Sequence, residues 1–262
     1  MSWWIGLVML GSVLVGCGAA AGERAAMIAA PVTCDEPGTV QMAEIEDASR
    51  GYPYAFNVYL PPCYEQETDR RYPSLYMLPG QGSSSMAWLT AGVKELADET
   101  ILSGEMPPFV MIAADNAAAE PFAESLYQDV LPYVESHYRV LAEAQYRAVA
   151  GGSLGGIRAY RLALNHPGTF ASVGLFGSGL VPGEAAQVQS WLDATPDDQR
   201  PRFFFNCGWE DPLMLAQAEA LIEVLDAAAV ESTTVFSTGG HNYGYWVSNM
   251  AEYWEWMAED WQ

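Results

Sequence analysis

The sequence predicts an α/β fold: a mostly parallel central sheet with helices on both faces. Two observations carry this. From residue 75 onward, strand signals and helix signals alternate along the chain, the pattern of strand–helix–strand units wound over a parallel sheet. Several of the strand segments are short continuous apolar runs, as expected where both faces are covered. The chain has 262 residues, half of them hydrophobic, enough for one sizeable core, so residues 34–262 are read as one domain.

The elements follow in order. Residues 40–46 and 54–60 alternate apolar and polar, predicting two strands paired as a hairpin at one edge. Residues 75–78 form a short buried strand ending in Pro79-Gly80. A helix over 93–103 leads to an apolar strand over 109–114. Phe122, Leu126, Val130, Leu131 and Val134 stand at helical spacing and predict a helix over 121–138. A strand over 146–150 runs into glycines, and a helix over 154–164 leaves them. Strands over 171–176, 202–207 and 232–237 follow, with a helix over 213–229 between the last two. Residues 180–201 are read as a cap over the site, with a short helix around Trp191. The final helix carries Trp246, Met250, Tyr253, Trp254, Met257 and Trp261 as one apolar stripe; all but Trp246 are assigned to core packing.

Charge and cysteines bound the function. Net charge is −22 and Lys94 is the only lysine. A surface this acidic repels phosphate backbones and excludes nucleic acid as a partner. Residues 1–15 form an apolar run of secretory length, too short to span a membrane. It ends in Leu14-Val15-Gly16-Cys17, which resembles the bacterial lipobox, although no Lys or Arg precedes the run. Residues 1–16 are therefore read as a signal peptide of lipoprotein type, Cys17 as the lipidation site and residues 17–33 as an Ala-rich tether. The rival is an ordinary signal peptide cut nearby. The expected location is the bacterial cell surface or periplasm, otherwise secretion, with membrane contact only through the lipid. In an oxidising compartment Cys34 and Cys63, both in Pro-flanked turns, are expected to pair. Cys207 sits in an apolar strand and is read as a buried thiol. No cysteine or histidine spacing predicts a metal site, and no cofactor is expected.

The chemistry starts at Gly151-Gly152-Ser153-Leu154-Gly155-Gly156. This contains G-x-S-x-G between a predicted strand and a predicted helix, the setting of a nucleophile elbow. A serine hydroxyl needs a base. Of three histidines, His137 precedes Ser153, and His166 falls at the far end of the helix leaving it, where it would act as a C-terminal cap. His241 remains, in a Gly-rich loop after the last strand. The acid belongs between them, after a strand: Asp211 is the choice, Glu210 the adjacent rival, and Asp211 also suits a helix N-cap before Pro212. Backbone N–H groups of Leu154 and Gln81 are the candidate oxyanion hole. Trp88, Trp209 and Trp246 are candidate substrate-stacking residues, with core packing as the alternative.

The motifs extend over nearly the whole expected domain. They are Val58-Tyr59-Leu60-Pro61-Pro62-Cys63-Tyr64, Tyr72-Pro73-Ser74-Leu75-Tyr76-Met77-Leu78-Pro79-Gly80, Trp88, Arg147-Ala148-Val149-Ala150 running into the elbow, Phe170-Ala171-Ser172-Val173, Gly239-Gly240-His241 and Trp246. With these the chain resembles the α/β-hydrolase esterase family that includes esterase D, feruloyl esterases and mycolyltransferases. The resemblance implies Ser153, Asp211 and His241 as a triad, with Gln81 and Leu154 as the oxyanion pair. Two departures stand out: Pro79 occupies the position before the oxyanion glycine where that family usually has His, and residues 115–122 are shorter than the substrate-binding insertion of many relatives. The expected function is serine carboxylic-ester hydrolysis through an acyl-enzyme, on acylated carbohydrate or small ester substrates. The alternatives are acyl transfer by the same triad and an inactive ligand-binding lipoprotein.

Overall fold

The computed structural model describes residues 28, 30–46, 53–115 and 122–261. Cys17, the expected signal peptide and most of the expected tether lie outside the described residues. Eight strands form one sheet in the order β1-β2-β4-β3-β5-β6-β7-β8. They are β1 (Thr39–Ile45), β2 (Tyr54–Leu60), β3 (Ser74–Leu78), β4 (Val110–Ala114), β5 (Arg147–Gly152), β6 (Ser172–Phe176), β7 (Arg202–Gly208) and β8 (Ser232–Ser237). The β1–β2 and β2–β4 pairs are antiparallel, and every other pair is parallel. The predicted edge hairpin is present, and the order reverses beside β3, as in doubly wound sheets.

Successive strand residues face opposite layers. In β3, Tyr76 and Leu78 join a core shared with the helix Leu154–Asn165, while Leu75 and Met77 join a second core on the other face. That second core is aromatic-rich: Trp88, Phe176, Phe204, Tyr253, Trp254 and Trp261 all pack in it. It holds the stripe of the final helix, but that helix is interrupted. The chain runs Tyr243–Ser248, turns at Asn249, and resumes at Met250–Ala258. Asn242 caps the first piece through its side chain, which accepts the Tyr245 N–H. The helix expected over 121–138 spans Phe122 to His137 and contains a π turn at Leu126–Val130, which a 3.6-residue period does not reveal.

The cap expectation is corrected. The helix Ala185–Ala194 buries Val188 and Leu192 in the same core as the helices Leu154–Asn165 and Pro212–Ala227. It is part of a helical layer of the fold, because its apolar side finds a fully buried seat there. A short helix at Met86–Thr90, not expected from the sequence, buries Trp88. Cys34 and Cys63 form the expected disulfide. The end of the expected tether docks on the domain: Ile28 is buried, and Arg70 donates to the carbonyl oxygens of Ile28 at 2.8 Å and Ala30 at 2.5 Å. Cys207 is a buried free thiol.

The loops after β3, β5, β7 and β8 leave the same end of the sheet, the carboxyl end of its parallel strands. They carry Gln81, Ser153, Asp211 and His241, where ligands of such sheets bind.

Candidate active site

Ser153 sits between β5 and the helix Leu154–Asn165 with φ 54° and ψ −122°. A residue with a Cβ pays strain of about 1–3 kcal/mol in such a conformation and keeps it only where its surroundings enforce it. Here they do. The Ser153 N–H donates to the Phe176 carbonyl at the end of β6, at 2.8 Å. A Cβ on Gly151 would lie 2.3 Å from the Gly155 carbonyl carbon, and one on Gly155 would lie 2.3 Å from the Leu78 oxygen. Both obstacles are backbone, so the strand, the bend and the helix approach each other as only glycine allows. The result lifts a half-buried Ser153 at a helix N-terminus, where developing negative charge is favoured.

Asp211 and His241 meet on the neighbouring loops. The Asp211 Oδ2 stands 2.5 Å from His241 Nδ1. Its Oδ1 accepts the Met214 N–H at 3.5 Å as the N-cap of the helix Pro212–Ala227, so one carboxylate meets both His241 and the helix terminus. Glu210 is exposed, and its main-chain N–H donates to the Gly239 oxygen at 2.9 Å. That bond and the one from Trp209 N–H to Ser237 oxygen, also 2.9 Å, tie the His241 loop to the β7 turn. The imidazole rests edge-on against Trp246, with ring centres 5.1 Å apart. With Nδ1 directed at the carboxylate, Nε2 is the nitrogen left to exchange a proton.

Ser153 and this pair converge on two residues. Phe176 accepts the serine N–H; at the next residue, Gly177, a Cβ would stand 3.0 Å from His241 Nδ1 and 3.0 Å from the Trp246 indole nitrogen. The other two histidines are engaged elsewhere. His137 stacks on Tyr133 at 3.8 Å. His166 occupies the expected C-cap position and stacks on Tyr127 at 3.7 Å.

The oxyanion candidates are placed as follows. Leu154 is the first residue of its helix, so its N–H has no partner within that helix. Gly80 to Ser83 form a tight turn, closed by the Ser83 N–H on the Gly80 oxygen at 3.1 Å, with Gly82 at φ 73°. In a trans peptide the Gln81 N–H points opposite to that carbonyl. Among the described residues no acceptor meets the Gln81 N–H. A Cβ on Gly80 would lie 3.6 Å from the Ser153 Cβ, which sets the turn over the serine. An open groove of about 670 Å³ adjoins the turn, lined by Gly82, Ser83, Met86, Tyr243 and Gly244 among others.

The three tryptophans divide. Trp88 is fully buried and donates its indole N–H to the Leu78 oxygen at 3.0 Å, and Trp246 is 3% exposed. Neither offers a ring face for a substrate to stack on; both packed sites bury the ring because the aromatic core closes on it. That corrects the stacking expectation for these two. Trp209 is 61% exposed on the rim, two residues before Asp211. Tyr243 was not singled out from the sequence. Its hydroxyl accepts the Gly80 N–H at 2.8 Å, across 163 positions of chain, and no local pattern signals such a partner. Burial, assisted by the Asp211 charge, pushes the Cys207 thiol up to about 12, so it stays protonated at neutral pH.

The family described as "Putative esterase" matches residues 48–257. An endo-1,4-β-xylanase/feruloyl esterase of Xylanibacter ruminicola is 26% identical over 228 residues, covering 80% of this chain and 30% of that protein. Endo-1,4-β-xylanase Y of Acetivibrio thermocellus is 25% identical over 222 residues, 76% of this chain and 20% of that protein. The chain thus spans less than a third of the length of these curated relatives. A solved ferulic acid esterase superposes with a TM-score of 0.74 at 23% identity, over 86% of this chain and 100% of that one. An S-formylglutathione hydrolase of Staphylococcus aureus superposes with a TM-score of 0.68 at 18% identity, over 85% and 98% of the respective chains. These superpositions show the α/β-hydrolase fold.

Proposed function

The chain belongs to the esterase family matched above, and on that premise we propose that it hydrolyses carboxylic esters through an acyl-enzyme on Ser153. The observation that carries the reading is the His241–Asp211 contact of 2.5 Å beside a serine held in a strained bend. In this reading His241 Nε2 takes the Ser153 proton as the hydroxyl oxygen attacks the ester carbonyl. Asp211 holds the tautomer and stabilises the imidazolium. The N–H groups of Leu154 and Gln81 receive the oxyanion. The imidazolium returns its proton to the departing alcohol. Water, deprotonated by His241, then releases the acid and restores the serine.

The substrate class proposed is an acylated carbohydrate or a small ester. Two curated relatives bear xylanase names, one of them with feruloyl esterase, and a net charge of −22 disfavours polyanionic substrates. Export belongs to the same proposal, supported by the apolar leader and the Cys34–Cys63 disulfide; lipidation at Cys17 is its membrane arm.

The test is a panel of acetyl, feruloyl and thioester substrates assayed with the wild type and Ser153→Ala. The expected result is turnover of at least one oxygen ester, reduced by about 10⁴–10⁶ in the variant. Equal turnover by purified Ser153→Ala would overturn the mechanism.

A further inference from the structure

We propose that Tyr243 is a positioning residue that holds the oxyanion turn in its working orientation. The proposal deepens the esterase reading and rests on it. The residue Gly80 joins two peptide planes, each with its own constraint. Its carbonyl accepts the Ser83 N–H at 3.1 Å, and its N–H donates to the Tyr243 hydroxyl at 2.8 Å. Gly80 has no Cβ and follows Pro79, whose own nitrogen carries no hydrogen. The Ser83 bond fixes the plane of the Gly80–Gln81 peptide and the Tyr243 bond that of the Pro79–Gly80 peptide, so the pair sets both torsions of Gly80 and with them the direction of the Gln81 N–H. Backbone donors stabilise an oxyanion only when they are already aimed at it.

The rest of Tyr243 is built for this. Its ring packs edge-on to Trp88 at 4.9 Å and against Trp246 at 5.0 Å. Trp88 in turn donates to the Leu78 oxygen, two residues before Gly80. The end of β3 and the start of the turn are therefore each held by an aromatic side chain, the indole at Leu78 and the phenol at Gly80, both seated in one aromatic cluster. Tyr243 also lies two residues after His241, and Asn242 between them caps the helix that carries Tyr243. One short segment thus supplies the base and orients the oxyanion turn, so that the two halves of the site move together or not at all.

The experiment is Tyr243→Phe, which deletes one oxygen and keeps the ring. The expected result is a 10- to 100-fold fall in kcat with KM within threefold of wild type. The affinity for an alkyl boronic acid, which becomes tetrahedral on the serine and places an oxygen in the oxyanion hole, falls by a similar factor. Affinity for the product carboxylic acid stays unchanged, as do the melting temperature and the position of the acid limb of the pH–rate profile. Wild-type kcat and boronate affinity in the variant would overturn the proposal. So would a shifted acid limb, which would mean that the hydroxyl acts through His241. A wild type that neither turns over esters nor binds the boronate would instead sink the esterase reading itself.

Discussion

The serine and the histidine of this site are seated in opposite ways. Ser153 stands at the end of β5, near the middle of the sheet, and all six residues of that strand are buried. What enforces its conformation is backbone against backbone: Leu78 oxygen against Gly155, and Gly155 against Gly151. His241 follows β8, an edge strand with no fully buried residue. Two main-chain bonds tie its loop to the β7 turn, and side chains orient the ring itself: the Asp211 carboxylate and Trp246, with the ring of Tyr245 under Gly239, its nearest carbon 2.0 Å from where a Cβ would lie. Ser153 is placed by main-chain packing near the middle of the sheet, and the His241 ring by side-chain contacts at its margin. The two are joined through Phe176–Gly177, through Trp246, whose ring lies against Gly152 as well as His241, and through the Tyr243 bridge.

The strongest way to break this contrast is Asp211→Asn. It should leave the serine seat intact and strip His241 of its charged partner. The expected loss in kcat is about 10⁴-fold, as for removal of a triad carboxylate's charge elsewhere. The N-cap survives, since an Asn oxygen also accepts the Met214 N–H, so thermal stability should hold. Labelling of Ser153 by a fluorophosphonate should slow without any change in circular dichroism. A large drop in melting temperature would show that the edge loop is part of the fold's foundation and that the contrast is false.

Glycine substitutions sharpen it. Gly155→Ala puts a methyl 2.3 Å from a main-chain oxygen of β3, which cannot yield without moving the sheet. The expected cost is about 3 kcal/mol or more, read as loss of soluble protein or a steep fall in denaturation midpoint. Gly240→Ala, beside His241, meets nothing nearer than the Asn242 amide at 3.8 Å. Its stability cost should fall within about 0.5 kcal/mol, the range of ordinary surface changes. Similar costs at the two positions would erase the distinction.

The same contrast explains which features the residue sequence makes legible. The elbow was legible because its constraints are local: four glycines around Ser153 report close backbone approach directly. The strands were legible from apolar runs and, for the edge hairpin, from alternation, and their observed bounds fall within two residues of expectation. His241 required elimination among three histidines, and Asp211 required the order of elements as well. The tertiary partners were not legible. Nothing in the segment around Trp191 told a cap from a packed helix, because both bury one apolar stripe. Trp88 and Trp246 lie near the site, as expected, but proximity did not reveal that their faces are covered. Tyr243 escaped because its partner is a main-chain N–H, which leaves no mark on the residue sequence.

Alkaline titration tests whether the two seats melt as one unit. Burial pushes Tyr72 and Tyr160 up to about 12, and Tyr76 and Tyr253 above that range. Tyr76 lies in β3, beneath the oxyanion turn, and Tyr253 packs on Phe176 at 5.4 Å, beneath both seats. Each phenol keeps its proton longer in the folded chain than in the unfolded one, where it ionises near 10. Below pH 10 both states are protonated and stability is insensitive to these groups. Above it the unfolded state sheds protons that the native state retains, so stability falls by about 1.4 kcal/mol per pH unit for each such group until its folded pKa is reached. The melting temperature should therefore be level from pH 8 to about 9.5 and decline steeply beyond 10. Tyrosinate absorbance and loss of near-ultraviolet dichroism should rise together if serine and histidine share one cooperative core. Dichroism lost in two separate steps would mean that the layers under His241 and under Ser153 open separately, and the margin would then be a separate unit of folding.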